Sequence, residues 1–366
     1  MTLLLGNEDI RRVLTPRMTR QALETAYGDL ARREAVCRPR IDIRIPTNTP
    51  GRFYQWGTME GGSTAGYFAI RMKSDVVYEQ EYNGVRTQEK FASRPGLYCG
   101  LVLLTDINTG VPLALINDGY LQHLRVAADS AIGADLMSRS GPLVLGMLGS
   151  GGMARAHVEA LLQVRDLQRV RVYSPTPENR RRYAAEMAQA YGVEAEAVDD
   201  PREVYRGAGI LAACTDSAVP VIRGEWLDPG MHVISVGGRP DAAARARFDR
   251  TLRLGTSPAP VGRPELGTAD EYLGYLARPQ DPAWGGQRTG KPAPVAAGEG
   301  EQVLFADIVA GRARGRTSEA QITYSERGNI QGAQFYSVAA AAYEEARRLG
   351  IGREIPTDWF LQDIRD

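Results

Sequence analysis

A glycine-rich segment near the middle of the chain has the residue types and spacing of a phosphate-binding turn. The apolar run Leu143–Leu148 is followed at once by Gly-Ser-Gly-Gly-Met-Ala, where a helical pattern of apolar residues begins. In a Gly-x-Gly-x-x-Ala turn, the first glycine permits the tight turn and the second lets a pyrophosphate approach the backbone. The helix N-terminus supplies free N–H groups. This context predicts a dinucleotide site that includes Gly149, Ser150, Gly151, Gly152 and Met153.

The end of the second predicted strand indicates which dinucleotide would bind. A carboxylate there would accept hydrogen bonds from the ribose of NAD(H), but the sequence reads Tyr-Ser-Pro-Thr at 173–176. Ser174 and Thr176 carry hydroxyls, and Arg180 opens a run of three arginines whose guanidinium groups match phosphate oxygens. The sequence therefore favours NADP(H) over NAD(H), although an arginine run can also be a solvated helix face.

A parallel sheet is needed to position these turns. Short apolar strands alternate with helical or loop segments from about residue 135 to 325, which predicts a Rossmann-type parallel sheet with covered faces. Cys214 and Thr215 follow one of its strands, and we expect them to line the nicotinamide pocket. No histidine is evidently placed to activate Cys214, so we do not expect it to act as a nucleophile.

The chain is less regular on either side of this region. We predict strands at 41–46, 67–72 and 97–104, a helix at 121–137, and a C-terminal helix at 339–349 that packs against the N-terminal third. Residues 262–300 are dense in glycine and proline and have no periodicity. We therefore predict a flexible insertion there, although active-site lids have the same composition.

Charge and composition exclude several functions. The 44 Lys and Arg residues balance the 44 Asp and Glu residues, so no net field would hold a nucleic acid. The longest apolar runs are far shorter than the roughly 20 residues that span a bilayer, and no signal-peptide pattern is present at the N-terminus. The three cysteines are widely spaced, which indicates reduced thiols in the cytoplasm and no metal site.

Several further segments resemble the ornithine cyclodeaminase and mu-crystallin family. The stretch Leu-Gln-His-Leu-Arg-Val-Ala-Ala-Asp-Ser at 121–130 is close to the family's Arg-Thr-Ala-Ala-x-Ser. The stretch Pro-Gly-Met-His-Val-Ile-Ser-Val-Gly-Gly at 229–238 has nearly the typical form. Thr-Asp-Ser-Ala-Val-Pro at 215–220, Ile-Thr at 322–323 and the glycine turn extend the resemblance over most of the chain.

The resemblance implies an α/β protein with two domains and a homodimeric assembly. A Rossmann-type domain would span 135–325, and an α+β domain for substrate binding and dimerisation would combine residues 1–134 with 326–366. Hydride transfer would occur at the α-carbon of an amino acid through an imine. Arg125 would lie beside the nicotinamide and the substrate carboxylate, and Arg44, or Arg40, would be a second carboxylate clamp. The remaining cofactor contacts would come from Val236, Gly237 and Gly238.

Three positions depart from the family pattern. Arg71 stands where the family has its active-site lysine, and an arginine binds anions but does not relay protons. Lys73 lies two residues further on the same strand face and is a candidate to replace it. Arg239 follows the double glycine in place of the family's catalytic aspartate, and Asp241 is the next acidic residue. The segment after residue 323 is one residue short, which leaves open whether Ser325 or Arg327 faces the cofactor.

These changes would gather many cations in one pocket if all of them point inward: Arg44, Arg71, Lys73, Arg125 and Arg239. Such a cluster needs an anion, which predicts a substrate with two or more carboxylates. The leading interpretation is an NAD(P)-dependent oxidoreductase that reduces an imine, or oxidises an amine, next to a carboxylate of a small anionic substrate. Arg71 and Arg125 would hold the acid, and Lys73 and Asp241 are candidate proton carriers. The alternatives are a cyclodeaminase-like ammonia lyase and a non-catalytic NADPH-binding protein.

Overall fold

The computed structural model describes residues 1–82, 84–266, 272–280 and 300–364. The elements up to residue 137 are β1 (Thr2–Leu5), α1 (Asn7–Val13), α2 (Pro16–Arg32), β2 (Ala35–Cys37), β3 (Arg40–Pro46), β4 (Arg52–Ser63), β5 (Tyr67–Tyr82), β6 (Val85–Ala92), β7 (Arg94–Pro95), β8 (Cys99–Asp106), β9 (Pro112–Asn117) and α3 (Gly119–Met137). The later elements are β10 (Leu143–Leu148), α4 (Gly152–Leu162), β11 (Leu167–Tyr173), α5 (Pro177–Tyr191), β12 (Glu194–Ala197), β13 (Ile210–Ala213), β14 (His232–Ser235), α6 (Ala242–Ala246), β15 (Arg250–Arg253), β16 (Tyr272–Leu276), β17 (Glu301–Leu304), α7 (Phe305–Val309), β18 (Thr323–Glu326), α8 (Gln331–Leu349) and β19 (Arg353–Ile355).

The first sheet is built from both ends of the chain. Its strand order is β16-β3-β4-β5-β8-β9-β1-β19, and its central pairs are antiparallel. Helix α8 lies so close to β4 that a Cβ on Gly61 would be 2.7 Å from the carbonyl carbon of Gly332. A buried apolar core fills the space between this sheet and helices α1, α2, α3 and α8.

Strand β16 corrects one expectation from the sequence. The prediction of a flexible insertion over 262–300 is wrong for Tyr272–Leu276, which pairs in parallel with β3 at the edge of the first sheet. Tyrosine and leucine residues give this short segment strand propensity despite the surrounding glycines and prolines. Residues 267–271 and 281–299 of the same prediction lie outside the described residues.

The second sheet confirms the predicted Rossmann-type α/β fold. Its order is β12-β11-β10-β13-β14-β18-β15-β17, and all its pairs are parallel. The chain moves outward in one direction from β10 to β12 and then returns to the other side of β10 with β13. In open parallel sheets, ligands bind beyond the carboxyl ends of the strands at such a reversal.

Helix α3 joins the two sheets. It packs on α2 and α8 on the side of the first sheet and on α4, β14 and β18 on the side of the second. Thirteen residues of α3 are buried, including the charged Arg125 and Asp129. None of the helices in the described part of the chain is long and apolar enough to cross a membrane. The domain boundaries given above stay a prediction.

Candidate active site

The turn after β10 has the geometry that the glycine motif predicts. Gly149 has a φ of 111°, and a Cβ there would lie 2.1 Å from the carbonyl oxygen of Cys214. Only glycine fits both the conformation and the space. Gly151 is the N-cap of α4 with a φ of −84°, and a Cβ on it would meet no atom within 4 Å. The backbone at Gly151 therefore faces open space at the positive end of a helix, as a pyrophosphate requires.

The end of β11 lies beside this turn. The hydroxyl of Ser150 donates to that of Ser174 over 2.9 Å, which ties the two loops together. Arg180 is buried, donates from Nη1 to the carbonyl oxygen of Ser174 at 2.8 Å, and forms an ion pair with the exposed Asp199. Its Nε is buried and has no hydrogen-bond partner. Thr176 is the half-buried residue that precedes α5.

The ends of β13 and β14 pack against each other by means of the double glycine. A Cβ on Gly237 would lie 1.8 Å from the carbonyl oxygen of Thr215, and one on Gly238 would lie 2.7 Å from the Cγ2 of Thr215. Val236 continues β14 and hydrogen-bonds through its N–H to Ala213. Burial raises the pKa of the Cys214 thiol far above its ordinary value, so this group stays protonated and has little nucleophilic character.

Arg125 lies at the junction of the two sheets and is held by uncharged groups. Its Nε and Nη2 donate to Oε1 of Gln122 at 3.2 and 2.8 Å, and its Nη1 donates to Gln334 of α8. Its guanidinium carbon is 4.5 Å from the centre of the Phe335 ring. Burial, together with the nearby Arg327 and Arg71, lowers the pKa of Arg125 to about 9. A buried guanidinium without a carboxylate among these partners is a strong site for a ligand anion.

The guanidinium carbon of Arg71 lies 5.3 Å from the centre of the same Phe335 ring, and Arg71 is paired with Asp118. Its Nε donates to Oδ2 of Asp118 at 2.6 Å, and its Nη2 lies 2.5 Å from the same oxygen. Both side chains are buried. Gly100 makes room for this pair, because a Cβ there would lie 2.0 Å from Oδ1 of Asp118. The carboxylate thus fixes Arg71 and neutralises much of its charge.

Lys73 lies on the same face of β5 as Arg71 and forms a buried ion pair with Asp75. Glycines flank it on both neighbouring strands, Gly57 on β4 and Gly100 on β8. Burial, together with the charges of Lys90 and Arg40, lowers the pKa of Lys73 to about 7, although Asp75 acts in the opposite direction. The amine therefore exchanges a proton near neutral pH, which the sequence could not show.

Arg44 and Arg40, the two candidates for a second carboxylate clamp, both lie on β3. Arg44 is opposite Gln55, and Gln55 is opposite Asp75. Arg44 therefore lies at the level of Asp75, four residues beyond Arg71 along β5. It is buried, with its guanidinium carbon 5.4 Å from the Phe53 ring centre. Arg40 forms an ion pair with Asp42 at 2.6 Å. The assignment of Arg44 or Arg40 as the second carboxylate clamp stays a prediction.

Arg239 and Asp241 make their contacts within the second sheet's loops. Arg239 is exposed and donates from Nη2 to the carbonyl oxygen of Ala218 at 3.3 Å. Asp241 caps α6: its Oδ1 accepts from the N–H groups of Ala244 at 2.7 Å and Gly224 at 3.1 Å. These contacts do not place either side chain with Arg71 and Arg125. The condition for a strongly cationic pocket, that all five cations point inward, is therefore not met.

Sequence reasoning missed several residues that complete the site. Asp118, Gln122 and Gln334 hold the two arginines, and Asp129 and Tyr27 form a buried hydrogen bond of 2.5 Å behind them. Two of the missed pairs were visible in principle, since Arg40–Asp42 and Lys73–Asp75 are two residues apart on strands and therefore share a face. The others join distant parts of the chain. Among the described residues, no group of three His, Cys, Asp or Glu side chains could hold a metal ion.

A parallel sheet with this order and a glycine turn at its reversal point defines the Rossmann-type class. The sequence model described as "Ornithine cyclodeaminase/mu-crystallin family" matches residues 71–345. That segment is most of the 366-residue chain, and the protein belongs to this family. The resemblance predicted from the sequence motifs is confirmed.

Curated relatives include proteins named as reductases. Over 138 residues the chain is 34% identical to a delta(1)-pyrroline-2-carboxylate reductase from Bacillus cereus, covering 38% of this chain and 42% of that protein. The chain spans about half, or less, of the length of the first curated relatives that it matches.

Solved structures establish the fold over nearly the whole chain. One is the delta(1)-pyrroline-2-carboxylate reductase from Thermococcus litoralis in complex with NADH and L-proline: TM-score 0.71, 23% identity, 97% of this chain and 100% of that chain. Another is the iminosuccinate reductase of Paracoccus denitrificans in complex with NAD+: TM-score 0.70, 22% identity, 97% and 99% coverage.

Proposed function

We propose that the protein is an NAD(P)-dependent oxidoreductase that reduces an imine, or oxidises an amine, next to a carboxylate of a small amino-acid-derived substrate. The observation that carries this proposal is the placement of Arg125. Its buried guanidinium is held by two glutamine side chains at the edge of the parallel sheet where a dinucleotide binds. The names of the relatives reported above support the same chemistry.

The residues of the glycine turn fit a dinucleotide. Gly149 and Gly151 shape the turn, Ser150, Gly152 and Met153 present N–H groups at or near the start of α4, and the strand ends at Cys214, Thr215 and Val236–Gly238 would border the nicotinamide. When bound, this cofactor supplies or accepts the hydride. We favour NADP(H) over NAD(H), because no carboxylate stands among residues 173–176 and the cation of Arg180 lies there.

The chain's own residues bind the acid and move the proton. Arg125 binds the substrate carboxylate, and the nearby Arg71, oriented by Asp118, supports it with its positive charge. Lys73 in its ammonium form gives a proton to the imine nitrogen as the amine forms, and its neutral form takes that proton back in the reverse direction. A pKa of about 7 suits both directions at neutral pH.

The contacts of Asp241 favour this reaction over the cyclodeaminase alternative. Cyclodeamination needs a carboxylate that handles protons at the iminium. Asp241, the candidate proton carrier for both reactions, is occupied as the N-cap of α6, and Arg239 is exposed at the position of the family's aspartate. Reduction still has Lys73 as a proton donor, whereas cyclodeamination lacks its carboxylate.

We also propose a homodimer in the cytoplasm. The face of the first sheet opposite Lys73 exposes apolar side chains on adjacent strands, namely Ile43, Ile45, Leu273 and Tyr275, and such patches mark protein interfaces. The three cysteines are free, which supports a reducing compartment. Light scattering on the purified protein would measure the mass, and replacing Tyr275 and Ile43 by Asp should give a monomer. The Ile107→Asp variant, which changes an exposed isoleucine in a turn outside this face, is the matched control.

The test of the reaction is a panel of carboxylated imines with NADPH and NADH. Delta(1)-pyrroline-2-carboxylate and 2-oxo acids with ammonia would be supplied, and the near-ultraviolet absorbance of the reduced nicotinamide would be followed. We expect oxidation of the coenzyme with at least one of these substrates. Ammonia release from ornithine without net coenzyme consumption would establish the lyase, and tight NADPH binding without either signal would establish a binding protein.

A further inference from the structure

The side chains at the end of β18 face α3 in regular steps. Thr323 donates to the carbonyl oxygen of Met137 at 2.7 Å. The next residue on that face, Ser325, lies against Gly133, since a Cβ there would be 2.5 Å from its hydroxyl. Two residues further, Nε of Arg327 lies 3.7 Å from Oδ2 of Asp129. Two strand residues cover about the same length as four helix residues, so the series places Arg327 one helical turn from Arg125. Arg327 is therefore the side chain that faces the pocket, and Ser325 is not.

A series of contacts through three buried side chains joins Arg327 to Arg125. Asp129, which faces Arg327, accepts from the hydroxyl of Tyr27 at 2.5 Å. That hydroxyl accepts from Nε2 of Gln334 at 2.8 Å, and Oε1 of Gln334 accepts from Nη1 of Arg125. The two guanidinium groups are thus held relative to each other by three residues from three helices, α2, α3 and α8.

Arg327 keeps hydrogen-bonding capacity that its present contacts do not use. Its ion pair with Asp129 is long, and its Nη2 donates to the carbonyl oxygen of Val236 at 3.4 Å, also a long contact. Oδ2 of Asp129 is buried without a hydrogen-bond partner. A guanidinium has five donors in a flat fork, and about one fifth of the Arg327 side chain is exposed. Arg327 also lies near enough to Arg125 to lower the pKa of that guanidinium.

The local charges leave room for one anion. The guanidiniums of Arg71, Arg125 and Arg327 lie near the carboxylates of Asp118 and Asp129, which leaves one positive charge. This differs from the expectation of a substrate with two or more carboxylates, because Arg239 is exposed and Lys73 has its own carboxylate partner. Arg44 lies at the level of Asp75, four residues along β5 from Arg71.

We propose that Arg327 is a substrate-binding residue that, together with Arg125, binds the single carboxylate of a 2-imino acid, and that Asp129 is a positioning residue that directs Arg327. This inference rests on the proposed function for the identity of the ligand. It assigns the residue that the unusual length of the segment after Thr323 brings into the pocket. Asp129 does not touch the substrate; it acts through Arg327.

The experiment uses pyrrole-2-carboxylate, a planar carboxylate that cannot accept a hydride, titrated calorimetrically into the full-length protein saturated with NADPH or NADH. We expect Arg327→Met to weaken its binding by about tenfold to a hundredfold, as for a lost charged hydrogen bond, with coenzyme affinity unchanged. Arg327→Lys should recover part of the loss. Asp129→Asn should give a smaller loss in the same direction, raising KM more than it lowers kcat. The exposed pair Arg312 and Asp307, 2.7 Å apart, supplies the matched controls Arg312→Met and Asp307→Asn.

The outcomes separate this inference from the proposed function. If imines are turned over and Arg327→Met binds the carboxylate as well as Arg312→Met does, the inference is wrong and the proposed function stands. If no imine is turned over but Arg327→Met alone loses the carboxylate, the anion site stands and the reaction does not. A loss of coenzyme affinity in Arg327→Met with unchanged carboxylate binding would assign Arg327 to the cofactor and overturn the inference. No carboxylate binding by the unmodified protein would overturn it as well.

Discussion

The two sheets position functional groups in different ways. The parallel sheet uses the turns after its strands: Gly149, Ser174 and Thr215 all lie at one edge because parallel strands end on the same side. The first sheet uses side chains in the middle of long antiparallel strands, where Arg71, Lys73 and their carboxylate partners lie in rows across the register. A functional turn can be predicted from a local sequence motif. The side-chain pairs of the first sheet depend on which residues of distant strands lie opposite each other.

Arg125, at the junction of the two sheets, gives the largest expected effect. Arg125→Ala removes the buried guanidinium that binds the carboxylate, which costs about 3 kcal/mol and lowers kcat/KM by roughly 10²-fold to 10³-fold. The coenzyme's Kd, measured by quenching of protein fluorescence, should change little. If Arg125→Ala kept the activity of the Arg312→Ala control, the carboxylate would bind elsewhere.

The first sheet is tested through Lys73. As a proton donor with a pKa of about 7, Lys73 should keep kcat/KM constant below pH 7 and let it fall at higher pH. Lys73→Met should abolish this fall of kcat/KM at high pH and should lower the rate about 10²-fold. Lys90→Met removes a neighbouring positive charge and should raise the pKa of Lys73, so kcat/KM should begin to fall at a higher pH. An unchanged pH–rate profile in Lys73→Met would exclude Lys73 as the proton carrier.

The lowered pKa of Lys73 also makes the free energy of unfolding depend on pH, in a direction that can be predicted. Unfolded Lys73 keeps its proton up to its ordinary pKa of 10.5, whereas the folded protein releases it near pH 7. Between these values the unfolded state binds more protons, so the free energy of unfolding should rise with pH through this window. Urea titrations of the unmodified protein and of Lys73→Met should differ in this slope, and equal slopes would contradict the depressed pKa.

The parallel sheet is tested by two glycines of one turn. Gly149→Ala places a Cβ against the Cys214 carbonyl in a left-handed conformation and should lower the free energy of unfolding by about 2 kcal/mol or more. Gly151→Ala has an ordinary φ and open space, so it should leave stability unchanged and weaken only coenzyme binding. Equal loss of stability in both variants would show that the turn is not packed as described.

The smallest expected effect concerns the choice of coenzyme. Arg180→Met should weaken NADPH binding about tenfold with little change for NADH, because a 2′-phosphate loses a charged hydrogen bond. Asp199→Asn removes the carboxylate that competes for Arg180 and should strengthen NADPH binding. Calorimetric Kd values for both coenzymes check this, and equal losses for NADPH and NADH would contradict the preference.

The sequence allowed the parallel sheet and its turns to be predicted because their signals are local. Leu143–Leu148 and the glycines that follow are contiguous, and the strand bounds match the apolar run. The ion pair of Arg71 with Asp118 could not be predicted, since it depends on the packing of β5, β8 and the start of α3, and on the absence of a side chain at Gly100. Arg180 is similar: its partner Asp199 follows a different strand, so the sequence favoured a phosphate ligand over a solvated face but could not show this ion pair.

Strand β16 shows a second limit. Tyr272–Leu276 is a short edge strand in a region dense in glycine and proline, and its partner β3 is far away in the sequence. Local composition indicates flexibility there, while the pairing comes from a hydrogen-bonding edge that only the folded chain provides.

The stepwise match of β18 to α3 has a consequence for how this pocket can change. Adding one residue between Ser325 and Arg327 would turn the arginine to the opposite side of the strand, away from the helix, and would leave Asp129 without its cation. The net charge of the groups counted above would then fall from one positive charge to zero, while every residue of α3 stayed the same. The length of the segment between Ser325 and Arg327 therefore sets the charge that a ligand meets, and lengthening it by one residue should shift the preference from anionic to neutral ligands.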